Sequence, residues 1–265
     1  MLVKIKKIVI YLSVFSLVAV AVAYWSFEDY KKNSVPILAY HKVDNDHSVY
    51  SVSEKVFDEQ LKYLHQNGYK AITLEKMQEL MDNRKLGEEK YIVITFDDGY
   101  ENNLTKALPI LQKYNYPATV FVVTGSVGAT NYLSPKQVGE LSKAGIEIGS
   151  HTDRHLPLAT LSAEEVEKEL VISKQYLEYL TLKTVKYLAY PNGSYNDKIG
   201  KILEKIGYTG AVTGLDGVNV YNSPQYYYYR VNMFKYEDPV RGFQSRLFRA
   251  QLKGWYRNLT LAKNS

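Results

Sequence analysis

The chain contains no cysteine, so neither a disulfide framework nor a thiolate ligand or nucleophile is available to it. Any transition-metal site must therefore be built from histidine and carboxylate. Histidine is itself scarce: His41, His47, His65, His151 and His155 are all of it, and none follows His155. No glycine-rich phosphate loop follows an apolar run, which argues against a nucleotide-binding doubly wound sheet. Neither sign of charge dominates, since 33 Lys and Arg against 28 Asp and Glu leave a net +5. The basic residues are scattered except at the two ends, and the stripe expected of a nucleic-acid binder is missing. What remains, 46% hydrophobic and 23% charged over 265 residues, is an ordinary globular composition without repeats or low-complexity tracts, enough for one domain of about 230 residues behind an N-terminal segment.

That segment is residues 8–25, an uncharged and mostly apolar run of 18, preceded by Lys4, Lys6 and Lys7 and closed by Tyr24 and Trp25. Its length suits a short membrane span, and the positive flank places the N-terminus in the cytoplasm. Ala21-Val22-Ala23 also fits a signal-peptidase site, but so long an apolar run favours an uncleaved anchor. The chain thus divides into 1–34, a cytoplasmic tip, single-pass anchor and short tether, and 35–265, one domain outside the cell. That domain would be secreted if the signal were cleaved.

The domain alternates strand and helix patterns. Residues 35–40 read as a buried strand ending at His41, 53–66 as an amphipathic helix carrying His65, 69–74 as a strand and 75–81 as a helix. Residues 91–96 form an apolar β-type run that ends in Asp97-Asp98-Gly99. A helix over 101–114 follows, then a strand over 117–123 of the kind buried on both faces. Ser134 and Pro135 start a helix that Gly145 stops. Residues 146–149 are a strand ending at Ser150-His151, and Ser162 with Glu165 forms a capping box for a helix to about residue 180. Strands over 185–190, 208–213 and 228–233 and a helix over 196–206 complete the series. Strands alternating with helices imply parallel βαβ units, and seven or eight of them suggest a (β/α) barrel. Reacting groups in such a barrel lie at the C-terminal ends of strands. Asp97, Asp98, His151 and His41 all fall there.

Two carboxylates side by side at a buried strand end resist joint ionisation unless a cation compensates, and a divalent metal would do so. One Asp could ligate it while the other serves as a base. His151 and His155 are four residues apart, the spacing that puts two imidazoles on one face of a helical turn. With Asp98 they make a 2-His-1-carboxylate set with open positions, suited to a hydrolytic zinc-type centre or to non-haem iron. Iron sites of this kind take their carboxylate from a pair such as His151-Thr152-Asp153, which would leave Asp97 and Asp98 uncompensated, so hydrolysis is favoured.

Thr95-Phe96-Asp97-Asp98-Gly99 and His151-Thr152-x-x-His155 resemble the first two motifs of the polysaccharide deacetylases of carbohydrate esterase family 4, the NodB-homology fold, and the likeness spans about residues 35–235. The resemblance implies a distorted (β/α)7-type barrel, Asp97 as general base, and Asp98, His151 and His155 as ligands of a divalent ion, Zn2+ first with Co2+, Ni2+ or Mn2+ as alternatives. It also implies removal of N-acetyl groups from N-acetylglucosamine residues of an extracellular or cell-wall polysaccharide.

Two motifs depart from the family pattern. The third, Arg-x-Pro-Tyr, is here Ala189-Tyr190-Pro191-Asn192-Gly193, without its arginine. The late Leu-x-His that should supply the general acid is absent. Both departures resemble the subgroup acting on poly-β-1,6-N-acetylglucosamine, where a Tyr-Pro-x-Gly motif would bring Tyr190, Pro191 and Asn192 to the substrate. In that subgroup an N-terminal Tyr-His, here Tyr40-His41, carries the histidine. Arg230 in the final strand would replace the lost arginine. The run Tyr226-Tyr227-Tyr228-Tyr229 could stack on sugars or simply pack, and the tail from Pro239 reads as a basic amphipathic helix. The alternative to an enzyme is a carbohydrate-binding protein of the same fold that has lost turnover.

Overall fold

A computed structural model describes residues 2–46, 48–234 and 239–261; His47, expected in a polar loop, lies outside the described residues. Along them run α1 (Leu2–Lys32), β1 (Ile37–Tyr40), β2 (Lys42–Val43), β3 (Ser51–Val52), α2 (Glu54–Gln66), β4 (Tyr69–Ile72) and α3 (Leu74–Asp82). Then come β5 (Lys90–Phe96), α4 (Leu108–Lys113), β6 (Thr119–Val122), α5 (Pro135–Lys143), β7 (Glu147–Ser150) and α6 (Ala163–Thr181). The series ends with β8 (Tyr187–Ala189), α7 (Asp197–Ile206), β9 (Gly210–Asp216), β10 (Tyr228–Asn232) and α8 (Pro239–Leu261).

Seven strands close a parallel ring in the order β1-β5-β6-β7-β8-β9-β10, sealed where β10 pairs with β1 and β1 with β5. The expected distorted barrel is therefore present. β4 pairs with the first half of β5, Tyr69 beside Lys90 through Ile72 beside Val93, and β1 takes over from Val93 onward. It is a flanking strand outside the ring. Helix starts follow local chemistry: Ser162 and Glu165 cap α6 reciprocally, as do Ser134 and Gln137 at α5, and the Asn196 side chain accepts from the first turn of α7.

Inside the ring the period of two sorts side chains by height. Ile37, Val93, Phe121, Tyr187, Val212 and Tyr228 form a buried apolar cluster with Leu74, Met77, Leu80 and Met81 of α3, which closes the N-terminal end. Continuing up the same faces, Val93 is followed by Thr95 and then Asp97, Ile37 by Ala39 and then His41, and Tyr228 by Arg230. The floor is thus apolar and the mouth polar. The opposite strand faces, including Leu38, Ile94, Val120, Leu188 and Val231, belong to the larger core beneath the helices.

Three local expectations need correction. The segment after residue 25 read as a tether is the end of α1. Its Phe27 and Tyr30, three apart, are buried, and Phe27 packs edge-on against Phe248 and Trp255 of α8 at 5.7 and 5.6 Å. A helical face with that partner has no reason to fray. The helix expected over 101–114 opens with a π-turn, Asn103–Ala107, before α4. Pro109 has no N–H to give the preceding turn and its ring crowds it, so the ladder widens there. The loop after His41 carries the small parallel pair β2–β3, Lys42 beside Ser51.

Candidate active site

Asp98 and Gly99 have φ of +74° and +77°. Two successive left-handed residues turn the chain sharply after β5, which Asp tolerates better than most side chains and Gly tolerates freely. A Cβ on Gly99 would also lie 3.1 Å from Val122 Cγ1. In a continuing strand neighbouring carboxylates would face opposite ways; after this turn Asp97 and Asp98 both border one pocket.

The His151–His155 pair meets by a route other than the helical turn expected from its spacing. Thr152 and His155 have φ of +65° and +57° and the segment is an irregular loop. Local bonds hold it: the His155 N–H donates to Thr152 Oγ1 at 3.1 Å, and the Gly125 N–H to Asp153 O at 2.9 Å. Glu169 of α6, 1% exposed, accepts from the Asp153 and Arg154 N–H groups at 3.1 and 2.8 Å. The imidazole centroids end 4.7 Å apart.

Each imidazole Nε2 lies 3.6 Å from Asp98 Oδ1, and the two Nε2 atoms are 3.2 Å apart. His151 Nδ1 is 2.8 Å from Ala189 O. A carbonyl can only accept, so Nδ1 carries the proton and Nε2 turns its lone pair toward Asp98 and His155. Burial pushes the His151 pKa down, which favours the neutral, ligating form. Three donor atoms within 4.8 Å of one another fit a divalent ion taking nitrogen and oxygen ligands with positions left for water and substrate.

Asp97 is 3% exposed, and Arg230, equally buried, grips it with both guanidinium arms, Nη1 to Oδ1 at 2.7 Å and Nη2 to Oδ2 at 2.8 Å. Arg230 Nε donates to Thr213 O at 2.8 Å, so the fork is fixed at its root. Burial opposes ionisation of Asp97, but the Arg230 charge and its hydrogen bonds outweigh it and hold the carboxyl well below the usual range.

His41 stands beside this pair at the end of β1. Its Nδ1 is buried with no hydrogen-bond partner, its ring lies 4.8 Å from that of Tyr50, and its carbonyl accepts from Asn103 Nδ2 at 2.9 Å. His65 sits apart on α2 near Tyr114 and Tyr116. Asp97, Asp98, His41, His151, His155 and Arg230, with Tyr190 and Asn192, line an open pocket of about 420 Å³. Pro191 is buried behind the lining. The tyrosine run packs outside it: Tyr228 donates to Gln78 Oε1, and Tyr227 stacks on Tyr190 at 6.4 Å.

Several contributors carried no signal of their own in the sequence. Tyr50, Asn232 and Phe234 join the lining, Tyr50 because β2–β3 folds it over His41. Thr213 and Ala189 act through backbone carbonyls, which no side-chain pattern announces. Glu169 looks like an ordinary helix residue, and only its burial marks it. Tyr100, directly after Asp97-Asp98-Gly99, was within reach of motif reasoning.

A carboxylate and two imidazoles at chelating distance, beside a second carboxylate clamped by arginine at a barrel mouth, suit metal-assisted hydrolysis. The profile of the polysaccharide deacetylase family matches residues 84–211. Poly-β-1,6-N-acetyl-D-glucosamine N-deacetylase of Staphylococcus aureus is 32% identical over 233 residues, covering 76% of this chain and 79% of that one. YxkH of Bacillus subtilis is 34% identical over 203 residues, covering 77% and 72%. Among solved structures, Streptococcus pyogenes deacetylase PplD in complex with acetate aligns with a TM-score of 0.74 at 27% identity, over 82% of this chain and 98% of that one. The chain belongs to the polysaccharide deacetylase family. The matched segment contains the aspartates, the histidine pair and Tyr190-Pro191-Asn192; His41 and Arg230 lie outside it.

Proposed function

We propose that this chain is a divalent-metal-dependent N-deacetylase that hydrolyses N-acetyl groups on N-acetylglucosamine residues of an extracellular polysaccharide, held at the cell membrane by α1. The observation that carries the reading is the Asp98-His151-His155 donor set lying against the Asp97–Arg230 pair in one open pocket. The substrate class follows the name of the Staphylococcus aureus relative. The membrane location follows α1, whose stretch Ile10–Lys32 is long and apolar enough to cross a bilayer.

Asp98, His151 and His155 would hold the ion, which when bound supplies Lewis acidity to the amide carbonyl and makes water more acidic. Asp97 is the base. Arg230 keeps it ionised and oriented, while each carboxylate oxygen, having accepted one N–H, keeps lone-pair capacity for a water proton. So strongly held a carboxylate is a weak base, so its contribution is a fixed position and an assured charge state rather than driving force. As water adds to the carbonyl carbon its proton passes to Asp97. When the C–N bond breaks, the amine leaves with a proton from the His41 imidazolium, and acetate is the second product. Imidazole is the side chain that most readily gives and takes a proton in turn. Tyr190 and Asn192 border the sugar, and Tyr50 limits water at His41.

The test is acetate release from poly-β-1,6-N-acetylglucosamine and from other N-acetylated wall polymers, before and after chelation and after return of Zn2+, Co2+, Ni2+ or Mn2+. Chelator-sensitive release restored by one of these ions is expected. If stoichiometrically loaded protein binds such glycans yet frees no acetate, the reading gives way to a sugar-binding role.

A further inference from the structure

Helix α8 buries one side against the domain through Phe243, Leu247, Ala250 and Gln251. On its open side Phe248, Leu252, Tyr256 and Leu259 are 50%, 41%, 67% and 39% exposed. Spaced four, four and three residues apart, they fall within roughly 80° of arc at 100° per residue. They form one continuous apolar strip. Exposed Arg249 lies along its far edge, with Lys253 beyond it turned toward Asp216 Oδ2 at 3.9 Å, while α1 runs along its near edge, where Phe27 touches both Phe248 and Trp255 and Ser26 Oγ accepts from Trp255 Nε1 at 3.2 Å.

The depth of that contact decides what covers the strip. Phe27 lies two residues beyond Trp25, the aromatic end of the apolar run, so Phe248 meets α1 only about 3 Å along the helix axis from the level where a span would leave the hydrocarbon. An apolar strip at that height, with the Arg249 cation at its edge, has the composition of a helix seated in the headgroup boundary.

Resting on the reading of α1 as a membrane anchor, we propose that α8 is a second membrane contact. Its Phe248-Leu252-Tyr256-Leu259 strip enters the outer leaflet of the bilayer that holds α1, with Arg249 against anionic phospholipid headgroups. Two contacts, one spanning and one lying in the interface, fix the tilt of the barrel and hence the direction its mouth faces. Because α1 is packed on α8 through Phe27, a single anchor would leave the domain to follow every change in the tilt and rotation of α1.

The absence of cysteine makes site-specific labelling direct. Full-length Leu252→Cys, Val14→Cys and Tyr179→Cys proteins each carry one fluorophore in nanodiscs of phosphatidylglycerol and phosphatidylcholine doped with headgroup-level or shallow-acyl nitroxide lipid; glycan binding serves as the check that each is folded. Quenching of several-fold is expected at 14 and at 252, with none at 179, which projects from α6 with 76% exposure in the native tyrosine. Replacing phosphatidylglycerol by phosphatidylcholine alone should weaken the quenching at 252 and leave 14 unchanged. Quenching at 14 without quenching at 252 overturns the second contact while leaving the anchor intact; quenching at neither refutes the anchor and this proposal together. A 252 signal that responds instead to a second labelled copy or to an added anionic wall polymer assigns the strip to that occupant and also overturns it.

Discussion

Replacing Arg230 by Met isolates what the clamp does for Asp97. The thioether fills much of the volume but removes both charge-assisted bonds, 2.7 and 2.8 Å long, from a carboxylate that is 3% exposed. Breaking a buried pair by deleting one partner costs about 3–5 kcal/mol. Protonation of Asp97 caps the loss. Holding a group of ordinary pKa near 3.9 neutral costs about 1.4 kcal/mol for each pH unit above that value, so about 4 kcal/mol at pH 7 and about 1.5 kcal/mol at pH 5. The two routes agree at neutrality and separate on acidification. In the native protein the Asp97 pKa is depressed, so its stabilisation is present above the unfolded value and lost only as pH falls through the folded one. In Arg230→Met the folded pKa rises above the unfolded value, so stability is greatest in acid and declines as pH rises. Urea denaturation of chelated protein in detergent, from pH 5 to pH 8, measures this directly. Asp97→Asn in the Arg230→Met background should recover most of the loss. Acetate release by the single variant should fall by about 10² or more at pH 7, since the base is then protonated. A stability loss independent of pH, or below about 1 kcal/mol at pH 7, would refute the argument that an ionised Asp97 depends on Arg230.

Three further outcomes are expected. His155→Ala should lose both the bound divalent ion, read by elemental analysis, and activity; stoichiometric metal retained by that variant removes His155 from the ligand set. His41→Ala should keep fold and metal while slowing deacetylation by roughly 10², the usual scale for a general acid, and a near-normal rate would place the proton donor elsewhere. Glu147, at the far end of the barrel, has its pKa raised by burial to about 6 despite the Thr119 hydroxyl it accepts at 2.5 Å. A raised carboxyl contributes stability below its unfolded pKa and loses it as pH rises through the folded one, so Glu147→Gln should be the more stable protein at pH 8 by about 2 kcal/mol at most. At pH 4.5 no such advantage should remain, and an equal gain at both pH values would exclude titration of Glu147 as its source.

What the sequence determined by itself was local or periodic. Alternating strand and helix patterns led to the parallel barrel because each element's period is written in its own residues, and the capping boxes could be read because they span three positions. The lack of cysteine confined any metal site to histidine and carboxylate, and the family resemblance of the two motifs pointed to Asp98, His151 and His155. Distance in the chain hid the rest. Arg230 lies 133 residues from Asp97, and only closure of β10 onto β1 and β1 onto β5 makes them neighbours, so its role could be expected but its two-armed grip could not. The histidine spacing was right while its stated cause, a helical turn, was wrong, because the loop through Thr152 and His155 is held by Glu169 and by the N–H groups of Gly125 and of Thr124, which donates to Thr152 O at 3.1 Å, all from other elements. The same holds at the N-terminus: the polar composition of residues 27–34 reads as a tether until α8 arrives to bury Phe27 and Tyr30. A residue's propensity belongs to the residue, whereas its burial belongs to whatever the rest of the fold brings against it, and the mouth of this barrel is made almost entirely of the second kind of information.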